Sequence, residues 1–245
     1  MGLTKTIRKL THRPLVGAPI QCRHMNYSVI ASLDDDPSVP SERLFDIACA
    51  SIEHARRYTY TTMQQRLHDQ PELIRNMVNT WPGEHYRLLA GVLQALRPRT
   101  IVEIGTYTGL SSLAMLESMP EESTLVTYDV IPWDQLSGTV LLESDFEDGR
   151  LTQHIADLAN ADVFREHAGV LQQADLLFVD GPKDARFERA FLDNLETIEL
   201  PRKPILLFDD IRVWNMLRIW RSITRPKLDL TSFGHWSGTG IVDWS

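Results

Sequence analysis

After Pro98 the sequence settles into a rhythm that few folds accommodate. Short apolar runs, "TIVEI" (100–104), "TLVTYD" (124–129), "LTQHIA" (151–156), "ADLLFVD" (174–180) and "PILLFDD" (204–210), alternate with stretches of helical spacing near 110–118, 158–168, 184–198 and 211–222. A strand covered on both faces reads as a continuous apolar run, and strands joined through helices run parallel. The expected fold is therefore α/β, a mostly parallel sheet with helices on both faces. The end of the chain breaks the rhythm. "KLDLTSFG" and "TGIVDW", separated by "HWSG", read as a C-terminal antiparallel hairpin.

Ahead of the sheet the pattern is helical. Leu44, Ile47, Ala48, Ile52 and Ala55 are spaced for one amphipathic helix from Glu42 to about Asp69. Further helices are expected from Pro71 to Thr80 and from Glu84 to Leu96, with "WPGE" (81–84) breaking between them. Residues 1–24 carry Lys5, Arg8, Lys9, Arg13 and Arg23 and no acid, without the apolar core of a secretory signal. "MGLTKT" meets the loose N-myristoylation pattern, which is short enough to match by chance. The reading preferred is an ordinary arm that covers a partner subunit, as in a homodimer, or the active site. "ASLDDDPSVPSE" (31–42) is expected to be a loop.

The formal net charge of −8 argues against a nucleic-acid partner, and no run approaches the ~20 apolar residues of a membrane span. Two cysteines, Cys22 and Cys49, are too few for a disulfide framework or a cysteine zinc site. They fit a reduced, cytoplasmic protein.

In parallel α/β sheets ligands meet the carboxyl ends of the strands, so those ends carry the functional reading. "VEIGTYTG" (102–109) places Glu103, Gly105, Tyr107 and Gly109 between the first strand and its helix, which begins with Ser111 close by. It is not the GxGxxG fingerprint. An acid within the loop repels phosphates and attracts a cation, which suits an adenosyl ligand with an amino-acid tail and a sulfonium better than NAD. The bland alternative is a tight turn without a ligand. Asp129, ending the second strand, is placed to accept ribose hydroxyls, or is only a polar strand terminus. Asp157 either reaches an adenine amino group or caps the following helix.

With these residues in view, "VEIGTYTGLSS", "VTYDVIP", "FVDGPKD" and "LLFDDIR", in this order, resemble class I S-adenosylmethionine-dependent methyltransferases. More narrowly, they resemble the metal-dependent O-methyltransferases of the catechol, caffeoyl-CoA and macrocin types. The resemblance covers roughly residues 81–245, the expected cofactor-binding domain. It leaves 1–80 as an arm and helical segment suited to an acceptor pocket or an oligomer contact. It implies a Rossmann-like sheet and S-adenosylmethionine bound by Glu103, Gly105, Tyr107, Gly109, Ser111, Asp129, Asp157 and Asp180. It also implies Mg2+ or another divalent cation on Asp180, Asp209 and Asp210, and Lys183 as the base. Where catechol-type enzymes carry Asp-Asn this chain has Asp209-Asp210, a third acid that macrocin-type relatives tolerate.

The physics of the acids is independent of the resemblance. Three carboxylates converging at strand ends repel one another unless a cation lies among them, and a hard divalent ion with oxygen ligands resolves this. A lysine whose pKa is reduced by nearby cations can remove a proton. Against this, Asp209 would cap a helix starting near Ile211, Asp210 would pair with Arg212, and Lys183 would sit in water. His235 and Trp236, in "GHWSG", either border the acceptor or form a structural turn. Trp133 packs on the adenine or in the core. Glu84, His85 and Tyr86 touch the cofactor's carboxylate end or the acceptor. The function expected is methyl transfer to a hydroxyl of a small molecule, a catechol-like phenol or a natural-product sugar. Its rivals are a nucleotide-dependent oxidoreductase on a similar sheet and a catalytically inactive cofactor-binding protein.

Overall fold

The two-residue period of the apolar strands builds the sheet. In β1 (Thr100–Ile104) Ile101 faces one side while Val102 and Ile104 face the other, and all three are buried. β4 (Leu176–Val179) repeats the pattern, with Leu176 and Phe178 on one face and Leu177 and Val179 on the other. The computed structural model describes residues 39–78, 85–213 and 215–245. The expected arm over 1–24, most of the expected loop over 31–42 and the "WPGE" break lie outside the described residues.

β2 (Thr124–Asp129), β3 (Leu151–Ile155), β5 (Ile205–Asp209), β6 (Lys227–Asp229) and β7 (Thr239–Asp243) complete a seven-stranded sheet in the order β3-β2-β1-β4-β5-β7-β6. The first five strands are parallel; β7 is antiparallel to both β5 and β6. Strand order reverses at the seam between β1 and β4, where Ile101 lies beside Leu176. The Asp175 carboxylate fastens the start of that seam by accepting the backbone N–H groups of Arg99 (2.8 Å) and Thr100 (3.1 Å).

Helices cover both faces. α1 (Glu42–Ala55), α2 (Thr62–Leu67), α3 (Glu72–Met77), α4 (His85–Leu96) and α5 (Leu110–Ser118) lie in the core on one side. α6 (Ala161–Leu171), α7 (Arg186–Leu195) and α8 (Met216–Ser222) lie on the other, around Phe164, Phe191 and Trp220. Truncating a fully buried Phe178 or Phe191 to Ala costs about 3–5 kcal/mol. Residues 39–78 share a core with the sheet: Leu44 and Ala48 join the cluster of Leu88 and Ile241. Gly91 of α4 lies so close to α1 that a Cβ there would come within 2.2 Å of the Ser51 carbonyl oxygen. Among the described residues no helix is long and apolar enough to cross a membrane.

Three boundaries differ from expectation, the first for a tertiary reason and the other two for local ones. The single helix expected over 42–69 breaks after Ala55. The carboxylate of Glu117, on α5, accepts the backbone N–H groups of Thr61, Thr62 and Met63 and so caps α2 from a distance. The helix expected from 158 starts at Ala161, because Asn160, not Asp157, is its N-cap and accepts from Asp162 N and Val163 N. The hairpin connection is longer than "HWSG". β6 stops at Asp229, whose carboxylate takes both the N–H and the hydroxyl of Thr231, and the chain then turns back through Gly234.

Candidate active site

At the carboxyl ends of β1, β2, β4 and β5, with the loop that follows β3, a single cavity of about 960 Å³ opens over the strand-order reversal. The position is the one expected of a ligand crevice in a parallel sheet.

One half of the cavity is built from glycine and backbone. Gly105 adopts φ +103°, and a Cβ there would lie 2.1 Å from the carbonyl oxygen of Asp180, so the loop after β1 rests directly on the end of β4. Its N–H donates to the Tyr128 carbonyl (2.8 Å). Asp129 holds the same loop from β2: Oδ2 accepts from Tyr107 N (2.9 Å), and Oδ1 accepts from Val130 N (2.7 Å) and Ile131 N (3.1 Å). Gly105, Tyr107, Asp129 and Asp157 all line the cavity. Asp157 keeps its place there while accepting from Ala159 N, and it does not cap α6.

Glu103, Gly109 and Ser111 do not line it. Glu103 is fully buried beneath the loop, where each carboxylate oxygen accepts a hydroxyl, one from Ser111 and one from Ser112. Burial pushes its carboxyl up to about 7, against the opposing pull of Ser111, Ser112 and Thr127. Glu103 thus supports the loop from below and does not line the cavity. Gly109 adopts φ +82° against the side chain of Leu141. Trp133 stacks on Phe146 at 5.0 Å, which is its core reading.

The other half is ionic. Asp180 follows β4, Asp209 ends β5 and Asp210 follows at φ +60°. All three line the cavity with Lys183. Lys183 and Ala185 both have positive φ, and Glu188 of α7 holds that strained turn by accepting the N–H groups of both at 2.8 Å. The Lys183 ammonium donates to Asp180 Oδ1 and lies 3.4 Å from Asp210 Oδ2. The bland alternatives fail here. Lys183 is buried, not in water; the helix after β5 begins only at Met216; and Arg212 pairs with Asp229 and Thr231, not Asp210.

Without a cation in the site, the Lys183 pKa is not lowered. Burial works in that direction, but Asp180, Asp209 and Asp210 outweigh it and hold the amine well above the ordinary lysine range. Burial pushes the Asp209 carboxyl up, while the carboxyl of Asp210, despite burial, is held well below the usual range by His235 and Lys183.

Two histidines complete the group. The loop between β6 and β7 folds back over β5, with Arg212 N donating to the Ser237 carbonyl (2.9 Å). This brings His235 Nδ1 to 3.9 Å from Asp209 Oδ1 and 3.8 Å from Asp210 Oδ1. Burial lowers the His235 pKa, but Asp210 and then Asp209 reverse the effect and raise it. Trp236 is exposed and lies outside the cavity wall, against the His235 ring. His85, at the start of α4, is buried, with Nδ1 3.5 Å from Asp209 Oδ1. It sits over the acids, a partner that local sequence could not reveal; Tyr86 also lines the cavity, while Glu84 lies outside the described residues.

Residues 102–211 match the family model described as a methyltransferase domain. No curated protein sequence matches the chain significantly. Among solved structures, an O-methyltransferase from Bacillus cereus in complex with S-adenosylhomocysteine is 15% identical over 76% of this chain and 92% of its own, with a TM-score of 0.52. The S-adenosylhomocysteine-bound methyltransferase PaMTH1 of Podospora anserina is 18% identical over 84% and 97%, at 0.50. A methyltransferase from Geobacter sulfurreducens is 17% identical over 74% and 85%, at 0.50. At these identities the likeness is one of fold, and that fold is the Rossmann-like methyltransferase sheet ending in an antiparallel hairpin. Taken with the methyltransferase-domain match over residues 102–211, this likeness supports a class I S-adenosylmethionine-dependent methyltransferase resembling the O-methyltransferases.

Proposed function

We propose that the protein transfers a methyl group from S-adenosylmethionine to a hydroxyl oxygen of a small molecule, with a divalent cation at the acidic cluster. The observation that carries this reading is the continuity of one cavity from Gly105 and Asp129 to Asp180, Lys183, Asp209 and Asp210. The loop after β1, with Asp129 and Asp157, would hold the adenosyl cofactor. Asp180, Asp209 and Asp210 would hold the cation, and the residues fit it. Asp209 Oδ1 and His85 Nδ1 are buried without a hydrogen-bond partner, a costly arrangement that a cation between them relieves.

Such a cation lowers the pKa of an acceptor hydroxyl and orients it. Two neighbouring hydroxyls chelate best, so the acceptor is a catechol-like phenol or a sugar diol of a natural product. Lys183 is the proton acceptor in this scheme. Its charge is maintained by the three carboxylates, so it can serve as a base only when they are neutralised by another cation.

The test is calorimetric titration of S-adenosylmethionine with and without Mg2+, followed by a product screen over catechols and glycosides. Cofactor binding with turnover that EDTA abolishes is expected. Turnover indifferent to EDTA would remove the cation from the reading, and absence of cofactor binding would remove the reading altogether.

A further inference from the structure

The acids alone would suit Mg2+, but the cluster is not made of acids alone. His85, Asp180 and Asp209 each offer a ligand atom within 4.8 Å of the other two, and a second triad of Asp209, Asp210 and His235 shares Asp209. The two imidazoles are in different states. His235 Nδ1 is bonded to the hydroxyl of Ser237. His85 Nδ1 has no hydrogen-bond partner, and its side chain is only 6% exposed. Facing it at 3.5 Å is Asp209 Oδ1, also without a partner on a side chain 8% exposed.

A neutral imidazole nitrogen and a carboxylate oxygen that meet at 3.5 Å without a hydrogen bond, at the wall of the cavity, are an electron-pair donor set. Burying either without a partner is costly, and the His85 ring is packed against Phe178 and Tyr86 at the start of α4. Mg2+ demands oxygen ligands in near-ideal octahedral geometry and gains little from imidazole. First-row transition ions accept mixed nitrogen and oxygen donors, and imidazole favours them.

We propose that His85 is a direct nitrogen ligand of the cation site, and that the site therefore selects a first-row transition ion over Mg2+. The proposal rests on the cation reading given above and refines it: Asp180 and Asp209 supply oxygen, His85 supplies nitrogen, and His235 stays bonded to Ser237.

The test is direct metal binding to the chelator-treated full chain, with no turnover measured. Mn2+ alone is titrated by the loss of its free-ion electron paramagnetic resonance signal, then displaced with Mg2+. Pulsed electron paramagnetic resonance of the bound ion reads nitrogen coupling. The expected result is tighter binding of Mn2+ than of Mg2+, with imidazole nitrogen coupling to the bound ion. His85→Gln should lose that coupling and weaken Mn2+ by at least ~10-fold, with Mg2+ little changed. His235→Ala should keep it. A wild-type spectrum without imidazole coupling, or coupling that survives His85→Gln, overturns the proposal while leaving the cation reading intact. If neither ion binds, the cation reading falls and the proposal with it. Should His85→Gln fold poorly, His235→Ala decides in its place: loss of the imidazole coupling in that variant overturns the proposal.

Discussion

Lys183 turns its ammonium back onto Asp180, three residues earlier, and closes an ion pair at the mouth of β4. A positive φ at Lys183 makes that reversal, and Glu188 holds it from α7. The ammonium thus stands among carboxylates that would otherwise face one another, the position a divalent ion would compete for.

Lys183→Met should separate the two roles. Turnover is expected to fall by at least ~100-fold, as for loss of a general base, with S-adenosylmethionine affinity little changed. The cation-free protein should lose roughly 1–3 kcal/mol, less than for a fully buried pair because Asp180 is part-exposed. A divalent ion should raise its melting temperature more than it raises that of the wild type. Differential scanning fluorimetry with and without the ion reads the second effect, and turnover equal to wild type would remove the base.

Glu103 should make stability depend on pH. Its carboxyl titrates near 7 when folded, against an ordinary 4.5, because it is buried. The folded chain therefore holds more protons than the unfolded chain between these values. The contribution is full below about pH 4.5 and is lost as pH rises through about 7, on the order of 3 kcal/mol in all. Urea unfolding from pH 5 to 8 should show this slope, and Glu103→Gln should flatten it.

Gly105→Ala should be far more damaging than Gly149→Ala, although both glycines have positive φ. A Cβ at Gly149 meets nothing within 4 Å, whereas at Gly105 it meets the Asp180 backbone at 2.1 Å. The expected losses are about 1 kcal/mol at Gly149 and at least ~2 kcal/mol at Gly105, where S-adenosylmethionine binding should fail as well. Denaturation midpoints with a cofactor titration check both.

Asp129→Ala should weaken S-adenosylmethionine by at least ~10-fold, since a charged hydrogen-bonding group is lost and with it the anchor of Tyr107 N. Calorimetry reads the change. Divalent-ion affinity, set at the other end of the cavity, should stay as it was.

The five parallel strands were legible because burial on both faces leaves an unbroken apolar run, and their acidic ends marked the edge of the sheet where the cavity opens. Asp129, Asp157, Asp180, Lys183, Asp209, Asp210 and His235 all face the cavity accordingly. What the sequence hid depends on contacts between distant residues. Glu117, 55 residues from Thr62, decides where α2 begins, and Glu188, nearer by and five residues on from Lys183, decides the turn that aims it. His85 shows no local sign that Asp209 will lie beside it. Glu103 was misplaced for a simpler reason: on a strand buried on both faces, an acid near the ligand loop can point beneath it, where two serines receive it.

The seam between β1 and β4 also governs when the cavity exists. The residues it joins, such as Thr100 and Asp175, stand 75 positions apart along the chain. Closing so long a loop costs entropy before any contact rewards it, and such pairing is slow. Until it closes, Gly105 has no Asp180 beneath it and neither half-site has its counterpart. On the proposed reading, each half of the chain alone would hold neither cofactor nor cation. Whatever binds across the seam binds only the closed state, and so stabilises it and lengthens its lifetime.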